Sequence, residues 1–106
     1  MTVGEGSLTT RCPQVVLPLT GELDVATATA AHKRLINVDL RAGDELVLDL
    51  SGLTFMDSTG IRLILQARDH AFRRGAAFAL ARGPESVMRV LELVGLDDQL
   101  DFVDPA

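Results

Sequence analysis

The apolar residues of this chain fall into short blocks of two different periods, each cut off by glycine, proline or acidic residues. Gln14 to Leu19 reads as a strand, and Pro18 within it implies an edge position or an irregularity. Upstream, Leu8–Arg11 reads as a short edge strand stopped by Pro13, and residues 1–7 as a loose tail. Thr20 to Asp24 predicts a turn into a helix. Asp24 serves as its N-cap, and Val25, Ala28, Ala31 and Leu35 share one face of a segment running to about Val38. Glu45 to Leu50 is the clearest strand. Leu46, Leu48 and Leu50 point one way and Val47 the other, the pattern of a central strand buried on both faces. Ser51 to Met56 reads as a connecting loop.

A second helix is predicted from about Ser58 to Arg74, with an apolar stripe of Ile61, Ile64, Leu65, Ala71 and Phe72. Arg68 falls inside that stripe and must snorkel or find a carboxylate. Leu63 falls off it, which predicts exposed apolar surface. Gly75 ends the helix. Ala76 to Ala81 is a second inner strand, and Gly83-Pro84 opens a third helix with proline in its first turn. Val87, Val90, Leu91 and Val94 follow helical spacing there, and Gly95 closes it. Leu100 to Val103 reads as a last short strand. The order is two strands, then alternating helices and strands. After an initial hairpin, that alternation implies an α/β fold with parallel strands and helical crossovers.

Composition narrows the function. A chain of 106 residues fits one domain spanning residues 1–106. Ten Lys and Arg against fifteen Asp and Glu give a net charge of −5, which lacks the basic face that direct nucleic-acid binding needs. Four Phe with no Trp or Tyr argue against base stacking as well. Cys12 is the only cysteine, so an internal disulfide or a cysteine-based zinc site is excluded. His32 and His70 lie on different predicted helices without ligand spacing, so no metal is expected. The acidic group Asp97, Asp98, Asp101 and Asp104 reads as a solvated face without EF-hand spacing. There is no Walker A motif. Gly4-Glu5-Gly6 imitates a dinucleotide fingerprint but follows no strand and lacks the third glycine, so no cofactor is expected. Neither a signal peptide nor an apolar run approaching about 18 residues is visible, which predicts a cytoplasmic protein without membrane insertion.

The chemically interesting segment is Phe55-Met56-Asp57-Ser58-Thr59-Gly60, between the central strand and the second helix. Loops at the carboxyl ends of parallel strands are where ligands and partners meet such folds. Ser58 and Thr59 put two hydroxyls at a helix start, where unpaired N–H groups and a positive dipole end tolerate a phosphate. Gly60 leaves room for another backbone. Ordinary capping by Asp57 or Ser58 accounts for the same polar residues without any function. Asp24 has the same two readings, and a surface role requires it to lie beside the Asp57–Gly60 loop.

Gly21-Glu22-Leu23-Asp24-Val25-Ala26-Thr27-Ala28, Leu46-Val47-Leu48-Asp49-Leu50-Ser51-Gly52-Leu53, Met56-Asp57-Ser58-Thr59-Gly60 and Val90-Leu91-Glu92-Leu93-Val94-Gly95-Leu96 occur in that order. Together they resemble the STAS domain, and more narrowly the stand-alone anti-sigma factor antagonists of bacteria, over roughly residues 14–103. The resemblance implies a four- or five-stranded mixed sheet, its first strand antiparallel and the rest largely parallel, with helices packed on it. It implies no catalysis by this chain. It implies a partner that is both an anti-sigma factor and an ATP-dependent serine kinase. That partner is bound by the unphosphorylated form, freeing the sigma factor, and it phosphorylates the position that is Ser58 here. A separate serine phosphatase reverses the modification. Thr59 stands where many members carry a second serine, which leaves a second candidate acceptor. Leu23, Met56 and Leu63 are candidate apolar contacts around the loop, alongside Asp24, Asp57, Ser58, Thr59 and Gly60.

Two other readings compete. One is a STAS module that is never phosphorylated, such as a subunit of a transporter or stress-sensing assembly, in which Ser58 is a cap or a contact. The other is catalytic or signalling chemistry of another class. A phospho-aspartate receiver needs a lysine after a late strand, and Lys33, the only lysine, lies in the first predicted helix. A small hydrolase using Ser58 lacks both the Gly-x-Ser-x-Gly elbow and a convincing base.

Overall fold

The structure, a computed structural model, describes residues 13–104. Strands β1 (Gln14–Leu23), β2 (Glu45–Met56) and β3 (Ala77–Ala81) form a parallel sheet in the order β1-β2-β3. The central place of β2 follows from its side chains: Leu46, Val47, Leu48 and Leu50 are all 0% exposed, so both faces are covered. Leu100–Val103 contributes one parallel bridge, Leu80 to Phe102, flanked by Leu80 N–H donating to Asp101 O and Val103 N–H donating to Leu80 O, each at 2.9 Å. The described sheet thus has three strands and one added bridge rather than four or five strands. The expected Leu8–Arg11 strand, its antiparallel pairing and Cys12 lie outside the described residues.

Both long strands run further than their sequence suggests. β1 continues through Thr20–Leu23 and β2 through Ser51–Met56, where a turn and a loop were expected. β3 pairs with β2 only as far as Asp49↔Ala81, so beyond that point β1 and β2 continue as a two-stranded ribbon ending at Leu23↔Met56. Register shifts between Pro18 and Thr20 and between Gly21 and Glu22 absorb the irregular residues. Gly52 is needed in the ribbon: a Cβ there would lie 2.9 Å from Thr20 Cγ2 and 3.0 Å from Leu19 O.

Helix α1 (Ala28–Ile36) starts three residues later than the Asp24 cap implies, and Val25, expected on its buried face, is 79% exposed. Helix α2 (Ser58–Arg73) buries Gly60, Leu63, Ile64, Ala67 and Ala71. Its inner face is therefore rotated from the expected stripe: Leu63 is buried, Phe72 is exposed and Arg68 is only partly buried. Gly75, at φ 74°, ends α2, and Ala76 N–H donates to Ala71 O at 2.9 Å in the manner of a Schellman turn. Helix α3 (Glu85–Leu93) buries Val87, Met88 and Leu91 and leaves Val94 exposed. Helices α1 and α2 pack against each other and both begin at the end of the sheet where β1 and β2 finish.

Candidate partner-binding site

The ribbon brings two chain crossings together. Leu23 pairs with Met56, and Asp57 N–H donates to Leu23 O at 3.4 Å. Asp24 and Asp57, the first residue beyond each strand, are therefore neighbours at one end of the molecule, which is the juxtaposition that a surface role for Asp24 requires.

Each aspartate organises its own turn. Asp57 has extended backbone, and its Oδ1 accepts from Thr59 N–H at 2.9 Å, while its carbonyl accepts from Gly60 N–H at 3.0 Å and Ile61 N–H at 3.2 Å. It is the N-cap of α2. Asp24 Oδ1 accepts from Ala26 N–H at 2.9 Å and Thr27 N–H at 3.2 Å. The Thr27 hydroxyl donates to Glu22 O at 2.8 Å and accepts from Asp24 N–H at 3.0 Å. Asp24 thus closes a side-chain turn ahead of α1, whose N-cap is Thr27, instead of capping the helix itself.

Ser58 is exposed at the first position of α2, and Thr59 beside it is partly buried. The apolar residues expected to surround the loop on the surface lie under it. Leu23 and Met56 are 2% exposed and Leu63 is 3% exposed, so they hold the loop on the core and offer no apolar contact area. Gly60 is buried too. A Cβ there would collide with Met56 Cγ, lie 2.9 Å from Met56 Sδ and 3.1 Å from Leu23 Cδ2. Its missing side chain admits the chain's own core and not a visiting backbone.

Sequence reasoning did not name the exposed apolar residues at this end as contacts. Val25, in the Asp24 turn, and Phe55, 47% exposed and paired with Glu22, present apolar surface there. The signal for Val25 is its place inside an Asx turn, which lifts it off the helix it was assigned to. A groove also descends from Thr59 between the two helices, walled by Ala28 and His32 of α1 and by Arg62 and Gln66 of α2. Among the described residues no three His, Cys, Asp or Glu side chains converge as a metal site would require, and no helix is long and apolar enough to cross a membrane.

Residues 7–105 match the family model of the STAS domain. The chain is 26% identical over 84 residues to the anti-sigma-B factor antagonist of Bacillus subtilis, covering 79% of this chain and 76% of that protein. It is 32% identical over 82 residues to the anti-sigma-F factor antagonist RsfB of Mycobacterium tuberculosis, covering 77% of this chain and 66% of that one. In fold it is similar to an anti-sigma factor antagonist from Mycobacterium paratuberculosis, with a TM-score of 0.76 at 23% identity over 91% of this chain and 81% of that one. It is similar also to the anti-sigma factor antagonist SpoIIAA in its unphosphorylated form, with a TM-score of 0.67 at 21% identity over 92% of this chain and 85% of that one. A parallel sheet with α1 and α2 starting at one end, matched by the family model over nearly its full length, shows that this chain belongs to the STAS domain family.

Proposed function

We propose that this chain is an anti-sigma factor antagonist, a binding protein and not a catalyst, switched by phosphorylation of Ser58. In the unphosphorylated state its Asp24 and Asp57–Thr59 end binds an anti-sigma factor and so frees the sigma factor. The same partner, acting as a serine kinase, transfers the terminal phosphoryl group of ATP to Ser58 Oγ, with ADP leaving, and a serine phosphatase removes it.

One observation carries the reading. Within the loop, Ser58 alone is exposed: Asp57 and Thr59 are partly buried and Gly60 is buried. That favours Ser58 over Thr59 as acceptor. The relatives named as anti-sigma factor antagonists support the general role. A phosphate adds about −1.5 to −2 charges at this point. A partner surface fitted to a neutral hydroxyl then meets a dianion and its bulk, and every 1.4 kcal/mol or so of mismatch weakens binding about tenfold.

Intact-mass analysis tests this directly. The wild-type chain, Ser58→Ala and Thr59→Ala are each incubated with ATP and the candidate anti-sigma kinases of the same genome. The expected result is a single phosphate on the wild type and on Thr59→Ala, none on Ser58→Ala, and weaker kinase binding after modification. Tight binding to an anti-sigma factor without phosphate transfer by any candidate would overturn the switch and leave a constitutive STAS binding module.

A further inference from the structure

We propose that Arg62 receives the phosphate of phospho-Ser58, so that the modified loop carries its own counter-charge. The inference rests on Ser58 as the acceptor and adds what becomes of the phosphate afterwards.

Ser58 and Arg62 are both exposed and four residues apart on α2. That spacing places them on one face, with Cβ atoms about 5–6 Å apart. Side chains on a helix lean toward its N-terminus, so a long residue at position 62 reaches over the turn that carries Ser58 and Thr59. Arg62 lines the groove between α1 and α2 together with Thr59, the residue next to Ser58. An anion four residues N-terminal to a cation is also the favourable order for such a pair.

Among the described residues Arg62 makes no ion pair and no side-chain hydrogen bond. The ion pairs among the described residues are Arg41–Asp39, Arg73–Asp69 and Arg89–Glu85. Arg34 donates to Pro18 O at 2.7 Å, and Arg82 lies over the Phe102 ring. The Oδ1 atoms of Asp57 and Asp24 accept from backbone N–H groups, Asp57 from Thr59 and Asp24 from Ala26 and Thr27, and neither carboxylate pairs with Arg62 among the described residues. A phosphate on Ser58 would offer the Arg62 guanidinium a dianionic acceptor one helical turn away, and its planar fork suits two phosphate oxygens at once. Modification then changes the surface twice: it adds an anion and withdraws a cation from the groove that Arg62 shares with His32.

The test is a phosphorus NMR titration of the full chain carrying phosphoserine installed at position 58 during synthesis, which makes the result independent of any kinase. The second ionisation of the phosphate is followed in the otherwise unchanged chain and in Arg62→Gln, Arg62→Lys and Arg68→Gln. Arg62→Gln is expected to raise that ionisation by about 0.5 pH unit at low salt, Arg62→Lys by less, and Arg68→Gln not at all. The difference shrinks at about 1 M salt, where screening acts within about 3 Å. Coincident titrations for Arg62→Gln and the parent, or an equal shift from Arg68→Gln, would overturn the pairing. Failure of every kinase to modify Ser58 would instead sink the switch and leave this titration unaffected.

Discussion

His70 sits on α2 with Nε2 closed off from solvent and without a hydrogen-bond partner among the described residues. Its pKa is lowered from the ordinary histidine value of 6.5, chiefly by burial, then by the Arg74 and His32 charges, with Asp69 opposing them. Protonation would put an N–H on an atom that nothing accepts from, so the neutral ring is the one the fold suits. The unfolded chain takes up the proton more readily than the folded one. The stability this residue contributes is therefore complete above the unfolded value and is lost as pH falls through the lowered folded value. Urea midpoints measured from about pH 7.5 down to about pH 5 should fall more steeply for the wild type than for His70→Gln. Parallel declines would assign the pH dependence to other groups. The sequence placed His70 on a predicted helix and no more, because whether its ring is half-hidden depends on how the helix packs and not on local spacing.

At the scale of elements, local chemistry was more readable than packing phase. The cap at Asp57, one of two candidates there, can be inferred from a carboxylate two residues ahead of a free N–H group. At Asp24 only the presence of a turn-forming carboxylate can be, since it closes its own turn and does not cap α1 as expected. The reach of β1 and β2 cannot be inferred. Gly21, Ser51 and Gly52 look like turn residues, yet they carry the strands onward because Gly52 fits against Leu19 and Thr20 where a side chain would not. The inner face of α2 was legible in part: Ile64 and Ala71 are buried and Ile61 packs on the core as the stripe had them, but Leu63 is buried and Phe72 is exposed. The stripe through Ile61 and Phe72 put Arg68 among its members, and that conflict was the available warning. The real face uses Gly60, Ala67 and Ala71, small residues that let the helix sit close to the sheet. Gly60 sets that approach at the end that carries Ser58. Glycine to alanine within a helix ordinarily gains about 0.5–1 kcal/mol. Here the added methyl meets Met56 and Leu23, both 2% exposed, and overpacking costs about 1–3 kcal/mol. Gly60→Ala should therefore lose about 1 kcal/mol net in urea denaturation. A stabilised Gly60→Ala would show that Met56 yields and that α2 is less tightly held than its burial indicates.

For the whole molecule, the question is whether a charge at Ser58 acts by refolding the chain or only by altering what a partner meets. A phosphate takes the formal charge from −5 to about −7, far too small a change to unfold a chain by general repulsion when exposed charges are screened beyond about 8–10 Å. Locally, the site stands on Leu23, Met56 and Leu63, all at most 3% exposed, and on a helix whose first turn is capped by Asp57. None of these contacts uses the Ser58 side chain, so nothing in the core is exchanged when that side chain gains charge. The positive end of the α2 dipole offsets part of that charge's repulsion from Asp57 and Asp24, while the Thr59, Gly60 and Ile61 N–H groups are already held by Asp57. Ser58→Glu should accordingly leave amide NMR shifts outside the two loops and the start of α2 unchanged and move Tm by less than about 4 °C. Under the proposed function, its affinity for the anti-sigma factor should nevertheless fall by about tenfold or more, since a partner contact fitted to a hydroxyl meets the added charge directly. If binding were lost together with shifts spread through β2 and α2, the switch would lie in the fold itself. The rigid end on which Asp24 and Ser58 stand would then be the part that moves.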